Sequence, residues 1–283
     1  MALSVIVATS PGREENLRYC LAQLARQNTL FPFEVIVVDD GSSGCALICQ
    51  SWESGTLQHL WRPADQCVAR SRNQGAQAAQ YEQLVFIDAD ILLHPGALQA
   101  YADHLFMKPN YALYGYYGYH RDYQSTSVLV PGRAVHWCDK RYEIYTRQGL
   151  TAAPNLLRFP HEWAWSGNFA LHRAAYQQVN GFDEGFVGWG GEDLDFADRL
   201  IRQGYQIHFV VDAWGEHQVH AVDEVFHQGG HPSGHRYQSH YTPAPYTVQI
   251  FQSAEPLNQL TTAIYEHYMP HDPFFLQQLQ PGS

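Results

Sequence analysis

The sequence predicts an α/β fold, a mostly parallel sheet flanked by helices. Three observations predict it. Apolar runs at Leu3–Ala8, Phe33–Val38 and Leu84–Ile87 are too continuous for strands with one wet face; strands of this kind are covered on both sides. Helical stretches separate them at a βαβ rhythm. Each run also ends in polar, mostly acidic residues: Thr9-Ser10, Asp39-Asp40 and Asp88-Ala89-Asp90. In open parallel sheets, ligands bind beyond the carboxyl ends of the strands.

The elements follow in order. Leu3–Ala8 is rich in β-branched residues and is followed by the breakers Ser10, Pro11 and Gly12. From Glu14 to Gln27, Leu17, Leu21, Leu24 and Ala25 fall on one helical stripe. Phe33–Val38 is the second strand, and a weaker helix and strand follow through Trp61. Ala69–Tyr81 reads as a helix by its alanine content, and Leu84–Ile87 as a strand. Pro95 is placed in the first turn of a helix running to about Met107. The stretch Asn110–Phe159 is aromatic and irregular. Its tyrosine cluster, Tyr111 to Tyr123, fits either an acceptor groove or a strand packed on the core. Strand signals return at Trp165–Leu171, with a helix over His172–Val179. A glycine-rich stretch, Gly185–Gly191, then leads into a helix from Glu192 to Gln203 and a strand from Tyr205 to Val211.

Composition narrows the function. With 45% hydrophobic and 16% charged residues the chain is globular rather than disordered. A net charge of −11 argues against nucleic acid, which demands clustered Lys and Arg, and against polybasic docking on an anionic bilayer. A phosphorylated ligand is still accommodated if a divalent cation sits between it and the acids. The N-terminus lacks the basic region of a signal peptide, and no apolar stretch reaches the roughly 18 to 20 residues of a transmembrane span. Five cysteines, Cys20, Cys45, Cys49, Cys67 and Cys138, form no zinc pattern. They are expected to be reduced thiols of a cytoplasmic protein, either free or peripheral at the inner membrane face.

Two motifs carry chemistry. Asp88-Ala89-Asp90 sets two carboxylates at a strand end, where hard oxygens suit Mg²⁺ or Mn²⁺ bridging to substrate phosphates. The bland reading is a turn whose aspartates cap the next helix. In Gly188-Trp189-Gly190-Gly191-Glu192-Asp193, glycines permit close backbone approach and Trp189 offers a flat face to a sugar ring. Acids favour a helix N-terminus by about 0.3 to 1 kcal/mol each, which explains one carboxylate but not the Trp-Gly-Gly before it. Asp195 and Asp198 read as a solvated or structural face. His217 follows a strand and could reach the same cation, although a lone histidine is more often structural. The histidine-rich segment His227–His240 fits a polar loop better than a separate metal site.

These motifs together resemble a known family. Val5–Thr9, Val35–Ser42, Ala69–Gly75 and Phe86–Asp90 resemble the nucleotide-binding half of family 2 glycosyltransferases. Ser166–Ala170, Gly181–Glu184 and Gly188–Asp193 resemble the acceptor half of β-1,4-galactosyltransferase and chondroitin-polymerase-like enzymes. The resemblance implies a GT-A type, Rossmann-like sheet in one integrated domain. Residues 1–108 would form the donor half, 109–222 the acceptor and catalytic half, and 223–283 an irregular extension.

The resemblance also implies roles. Thr9 and Asp40 would hold the uracil ring and Asp88 the ribose or the cation, with Ala8, Asp39, Arg70, Arg72, Ala89 and Asp90 also on the donor side. Asp90, with Asp88 and His217, would hold Mn²⁺ or Mg²⁺, His220 standing in reserve. Asp193, beside Glu192, would be the catalytic base, and Trp189, Gly190 and Gly191 would meet the sugars. The implied reaction transfers a hexose-type sugar from a UDP-sugar, with inversion, to a hydroxyl of a glycan, glycolipid or small glycoside. The competing readings are a non-catalytic nucleotide-sugar or glycan-binding protein, a retaining glycosyltransferase and a nucleotidyltransferase. Asp193 disfavours the first two. For the third, Ser10-Pro11-Gly12-Arg13 is a poor phosphate loop.

Overall fold

A computed structural model describes residues 2–118, 127–133, 139, 164–188 and 190–220. The elements are β1 (Leu3–Thr9), α1 (Glu14–Leu24), β2 (Phe33–Asp40), α2 (Cys45–Gln50), β3 (Thr56–Arg62), α3 (Val68–Ala78), β4 (Gln83–Asp88), β5 (Ile91–Leu93), α4 (Ala97–Met107) and β6 (Tyr111–Gly115). They continue with β7 (Asn168–His172), α5 (Arg173–Gln178), α6 (Glu192–Arg202), β8 (Gln206–Val210) and β9 (Gly215–His217). Seven strands form one sheet in the order β3-β2-β1-β4-β7-β6-β8. All run the same way except β7, which is antiparallel to both β4 and β6.

The apolar runs become buried central strands for the expected reason. Successive side chains alternate between faces. Val5, Val7, Val35, Val37, Val85 and Ile87 pack against α1, α2 and α4 on one side. Ile6, Ile36, Val38, Leu84 and Phe86 pack against α3, α5 and α6 on the other. That second layer is aromatic. Phe86 stacks on Phe169 at 4.7 Å, Phe169 on Tyr114 at 5.3 Å, and Phe182 on Phe196 of α6 at 4.2 Å.

Several expectations change in detail. Pro95 precedes α4 rather than opening it: a turn closed by Ala97 N–H to the His94 carbonyl occupies residues 94–97. The strand expected from Trp165 begins only at Asn168, because Ser166 and Gly167 form a turn whose Gly167 carbonyl accepts from Asp88 N–H at 3.1 Å. In the tyrosine cluster, residues 111–115 are β6, and Tyr114, Tyr116 and Tyr117 are buried in the core. Residues 119–123 of the cluster lie outside the described residues, as do Cys138 and the histidine-rich segment 227–240. Cys20, Cys45, Cys49 and Cys67 are free and buried. Among the described residues, no helix is long and apolar enough to cross a membrane.

Close packing is most demanding at Gly115, where β6 meets the turn before β9. A Cβ there would lie 2.1 Å from the Ala213 carbonyl oxygen and 2.3 Å from Asn168 Nδ2. Gly115→Ala is therefore expected to destabilise the fold by about 1 to 3 kcal/mol, as overpacking of a rigid site does. Thermal denaturation should register this as a lower Tm; an unchanged Tm would mean that the backbone at residue 213 yields freely.

Candidate active site

The carboxyl ends of β1, β2 and β4 converge on one edge of the sheet. At β1, the Ala8 carbonyl accepts from Ala89 N–H at 3.0 Å, tying two of the expected donor residues together. Thr9 is buried there. At the end of β2, Asp39 accepts from Ser42 N–H at 2.7 Å and lies 3.3 Å from His59 Nε2. Asp40 accepts from Arg62 Nη1 at 2.6 Å and from the backbone N–H groups of Asp65 and Gln66 at 3.1 and 2.9 Å. Asp40 thus shapes the rim of the cleft by holding residues 62–66. Gly41, at φ +93°, lets that rim approach: a Cβ there would lie 2.6 Å from Ala64.

Asp88 and Asp90, two residues apart, face different partners. Asp88 accepts from Arg72 Nη2 at 2.9 Å. Burial pushes its carboxyl up to about 6, against the pull of the Arg72 guanidinium. Asp90 instead meets two histidines. The short antiparallel pair β5–β9 sets Ile91 opposite His217, and Gln218 N–H donates to the Asp90 carbonyl at 2.8 Å. His217 Nε2 then lies 3.8 Å from Asp90 Oδ1 and His220 Nε2 3.1 Å from Oδ2. Burial would raise the Asp90 carboxyl, but His217, His220 and Arg13 outweigh it and hold it at about 2.

One candidate ligand atom from each of Asp90, His217 and His220 lies within 4.8 Å of the others. Asp90 Oδ1 is buried with no hydrogen bond among the described residues, as an oxygen reserved for a cation would be. One carboxylate with two imidazoles fits a first-row divalent ion such as Mn²⁺ better than Mg²⁺, which prefers oxygen. Of the expected set, the structure brings Asp90 and His217 together, with His220 beside them, and places Asp88 against Arg72.

The histidines are held from behind. Glu216, fully buried, accepts from Ser127 Oγ, from Val128 N–H at 2.8 Å and from Leu129 N–H at 3.3 Å. Gln218 Nε2 donates to the Asn16 carbonyl at 3.1 Å, anchoring the strand end on α1. The His217 ring stacks beside Tyr117 at 6.0 Å. Arg13, whose Nε lies 3.9 Å from Asp90 Oδ2, was not expected here; its place in the turn after β1 was the available signal.

On the opposite wall stands the first turn of α6. Gly188, Gly190 and Gly191 all have φ between 86° and 92°, a region open to glycine at little cost. Trp189 lies outside the described residues. Glu192 is buried and accepts from Arg72 Nη1 at 3.0 Å, while its Oε2 has no hydrogen bond among the described residues. Asp193 accepts from Leu194 N–H at 2.9 Å. Burial, then the neighbouring Glu192, pushes its carboxyl up to about 7, with Arg72 opposing. Asp195 and Asp198 pair along the helix with Arg199 and Arg202 at 2.8 and 2.6 Å. Arg70 lies at the rim, bonded to Glu184 at 3.0 Å and to Asp65.

The family model for Glycosyl transferase family 2 matches residues 4–175. The chain belongs to this family. A second model, the N-terminal domain of galactosyltransferase, matches residues 148–227 of this family 2 glycosyltransferase. Among curated relatives it is 32% identical over 237 residues to a validoxylamine A glucosyltransferase of Streptomyces hygroscopicus subsp. jinggangensis, covering 77% of this chain and 56% of the relative. It is 29% identical over 243 residues to the chondroitin synthase of Escherichia coli, covering 76% of this chain and 34% of the relative. The family 2 chain thus spans about half the length of the first of these and a third of the second. Among solved structures, it superposes on S. aureus TarS 1-349 in complex with UDP-GlcNAc with a TM-score of 0.62 at 17% identity, covering 94% of this chain and 73% of that one. GalNAc-T7 with UDP, GalNAc and Mn²⁺ superposes with a TM-score of 0.56 at 16% identity, covering 78% and 44%. The fold is the GT-A type.

Proposed function

We propose that this family 2 glycosyltransferase moves a hexose-type sugar from a UDP-sugar to a hydroxyl of a glycan, glycolipid or small glycoside, with inversion at the anomeric carbon. The observation that carries the reading is the meeting of Asp90, His217 and His220 beyond the sheet's carboxyl edge, where nucleotide ligands of α/β sheets bind. Those three residues would hold a divalent cation, Mn²⁺ in preference to Mg²⁺. A cation there supplies Lewis-acid neutralisation of the departing diphosphate.

The chain's own groups do the rest. Arg13, 3.9 Å from Asp90, adds positive charge on the same side as the leaving group. Ala8, Thr9, Asp39 and Asp40 line the nucleotide end, with Asp40 acting through the rim it holds. Asp193 accepts the proton of the attacking hydroxyl, for which a carboxyl raised to about 7 by burial is well matched. Glu192 carries beside it a buried Oε2 with no hydrogen bond among the described residues, suited to orienting the acceptor. The glycine stretch through Gly190 and Gly191 gives the sugars room to approach the backbone. A single displacement from the face opposite the diphosphate turns an α-linked donor into a β-linked product.

The test is UDP release from a panel of UDP-sugars with Mn²⁺ and then with EDTA. The expected result is slow hydrolysis of one donor, abolished by EDTA, and a β-linked product by NMR once an acceptor is supplied. An α-linked product would make the enzyme retaining. Tight UDP binding by calorimetry with no turnover on any donor and acceptor would favour a binding protein, and absence of UDP binding would overturn the donor site.

A further inference from the structure

Arg72 lies in the middle of α3 and is only 3% exposed. Arginine is rarely buried so fully unless paired. Its two pairings come from two different elements, β4 and α6. Nη2 donates to Asp88 at the end of β4, and Nη1 donates to Glu192 in the first turn of α6, at 2.9 and 3.0 Å. The guanidinium also lies 5.2 Å from the Phe182 ring centroid, and Phe182 stacks in turn on Phe196 of α6. The next residue reinforces the link. Asn73 donates to the Phe182 carbonyl and to Glu184 Oε1, both at 2.9 Å, and accepts from Phe182 N–H at 2.9 Å. One turn of α3 therefore grips both the donor strand end and the segment that enters α6. The guanidinium is thus already paired with one buried carboxylate, Glu192, and one partly exposed carboxylate, Asp88.

We propose that Arg72 is a positioning residue: its planar fork joins Asp88 to Glu192 and so sets where the first turn of α6, with Asp193, stands relative to the bound donor. The functional consequence rests on the reading of Asp193 given above; the mechanical coupling does not. Any shift of Asp88 on donor binding would be passed to α6 through a rigid side chain. Lysine, a point charge on a flexible stem, cannot hold both carboxylates in one plane.

The coupling is tested by amide hydrogen exchange across residues 192–196 of the free, full-length chain. Wild type is compared with Asp88→Asn, Arg72→Lys and the double variant. Each single change should speed exchange there, and the double should add nothing further, because contacting residues in one network are not additive. Multiplying effects would overturn the proposal. If Arg72→Lys does not fold, Glu192→Gln takes its place in the same cycle.

Kinetics supply the second readout. Arg72→Lys should leave Mn²⁺-dependent UDP affinity unchanged while kcat for transfer falls about 100-fold, the cost of a misplacement near 1 Å. A raised Kd for UDP would instead make Arg72 a donor ligand, and an unchanged kcat would likewise overturn the proposal. If the wild-type protein binds no UDP, the transferase reading fails, and the exchange cycle still decides Arg72.

Discussion

Asp193→Asn is expected to lower transfer by about 10² to 10⁴, the usual worth of a general base, with Mn²⁺-dependent UDP affinity intact. Asparagine keeps the shape and the hydrogen bond to Leu194 N–H but cannot take a proton. The pH profile sharpens the test. The Asp193 carboxyl is raised from 3.8 to about 7, chiefly by burial, and only its ionised form is a base. Wild-type kcat/KM should therefore fall about tenfold per pH unit below about 7 and level off above it; the variant should lack that limb. The stability consequence has the opposite sense. A carboxyl whose folded pKa is raised holds its proton more tightly when folded, so its contribution is full below 3.8 and is lost as pH rises through about 7. Asp193→Asn should accordingly be more stable relative to wild type at pH 8 than at pH 4. Loss of UDP binding in a folded Asp193→Asn protein would move this residue to the donor site.

Asp90→Ala should remove cation and nucleotide binding together. Asp90 is the one carboxylate of the three-residue cluster, and alanine leaves only the two imidazoles. Loss of a supporting contact at a metal site costs about 10- to 100-fold in affinity, and loss of the sole anionic ligand should exceed that range. Calorimetry with Mn²⁺, and with UDP in its presence, gives both numbers in one series. His220→Ala should weaken the same two equilibria less severely. Asp88→Asn should spare Mn²⁺ affinity, since Asp88 is committed to Arg72. Unchanged Mn²⁺ affinity in Asp90→Ala would take this residue out of the cation site.

Much of this was legible in the residues. The central strands announced themselves because β-branched runs buried on both faces carry no polar alternation, and their acidic ends marked the cleft. Direction was not legible: nothing in Asn168–His172 distinguishes a reversed strand, since periodicity is blind to polarity along the chain. β5 and β9, three residues each, fall below any periodic signal. Their pairing nonetheless decides which histidines reach Asp90. His217 and His220 were both considered, but local context ranked one above the other where the fold sets both beside Asp90. Arg72 has partners that the sequence could not place. Arginine in a nucleotide-binding motif suggests a phosphate partner, and only packing reveals two carboxylates already in place.

The two-stranded pair β5–β9 has a consequence for how the molecule comes into being. Its register joins residue 91 to residue 217, so the meeting of Asp90 with His217 and His220 waits on a contact between distant stretches of chain. Closing such long loops is entropically slow and late compared with local helix and hairpin formation. During vectorial synthesis, β1, β2 and β4 leave the ribosome well before His217 and His220. On the function proposed above, a nascent chain halted anywhere short of residue 217 would lack two of the three cation ligands, and competence to react would arrive only with the closing of the last small sheet.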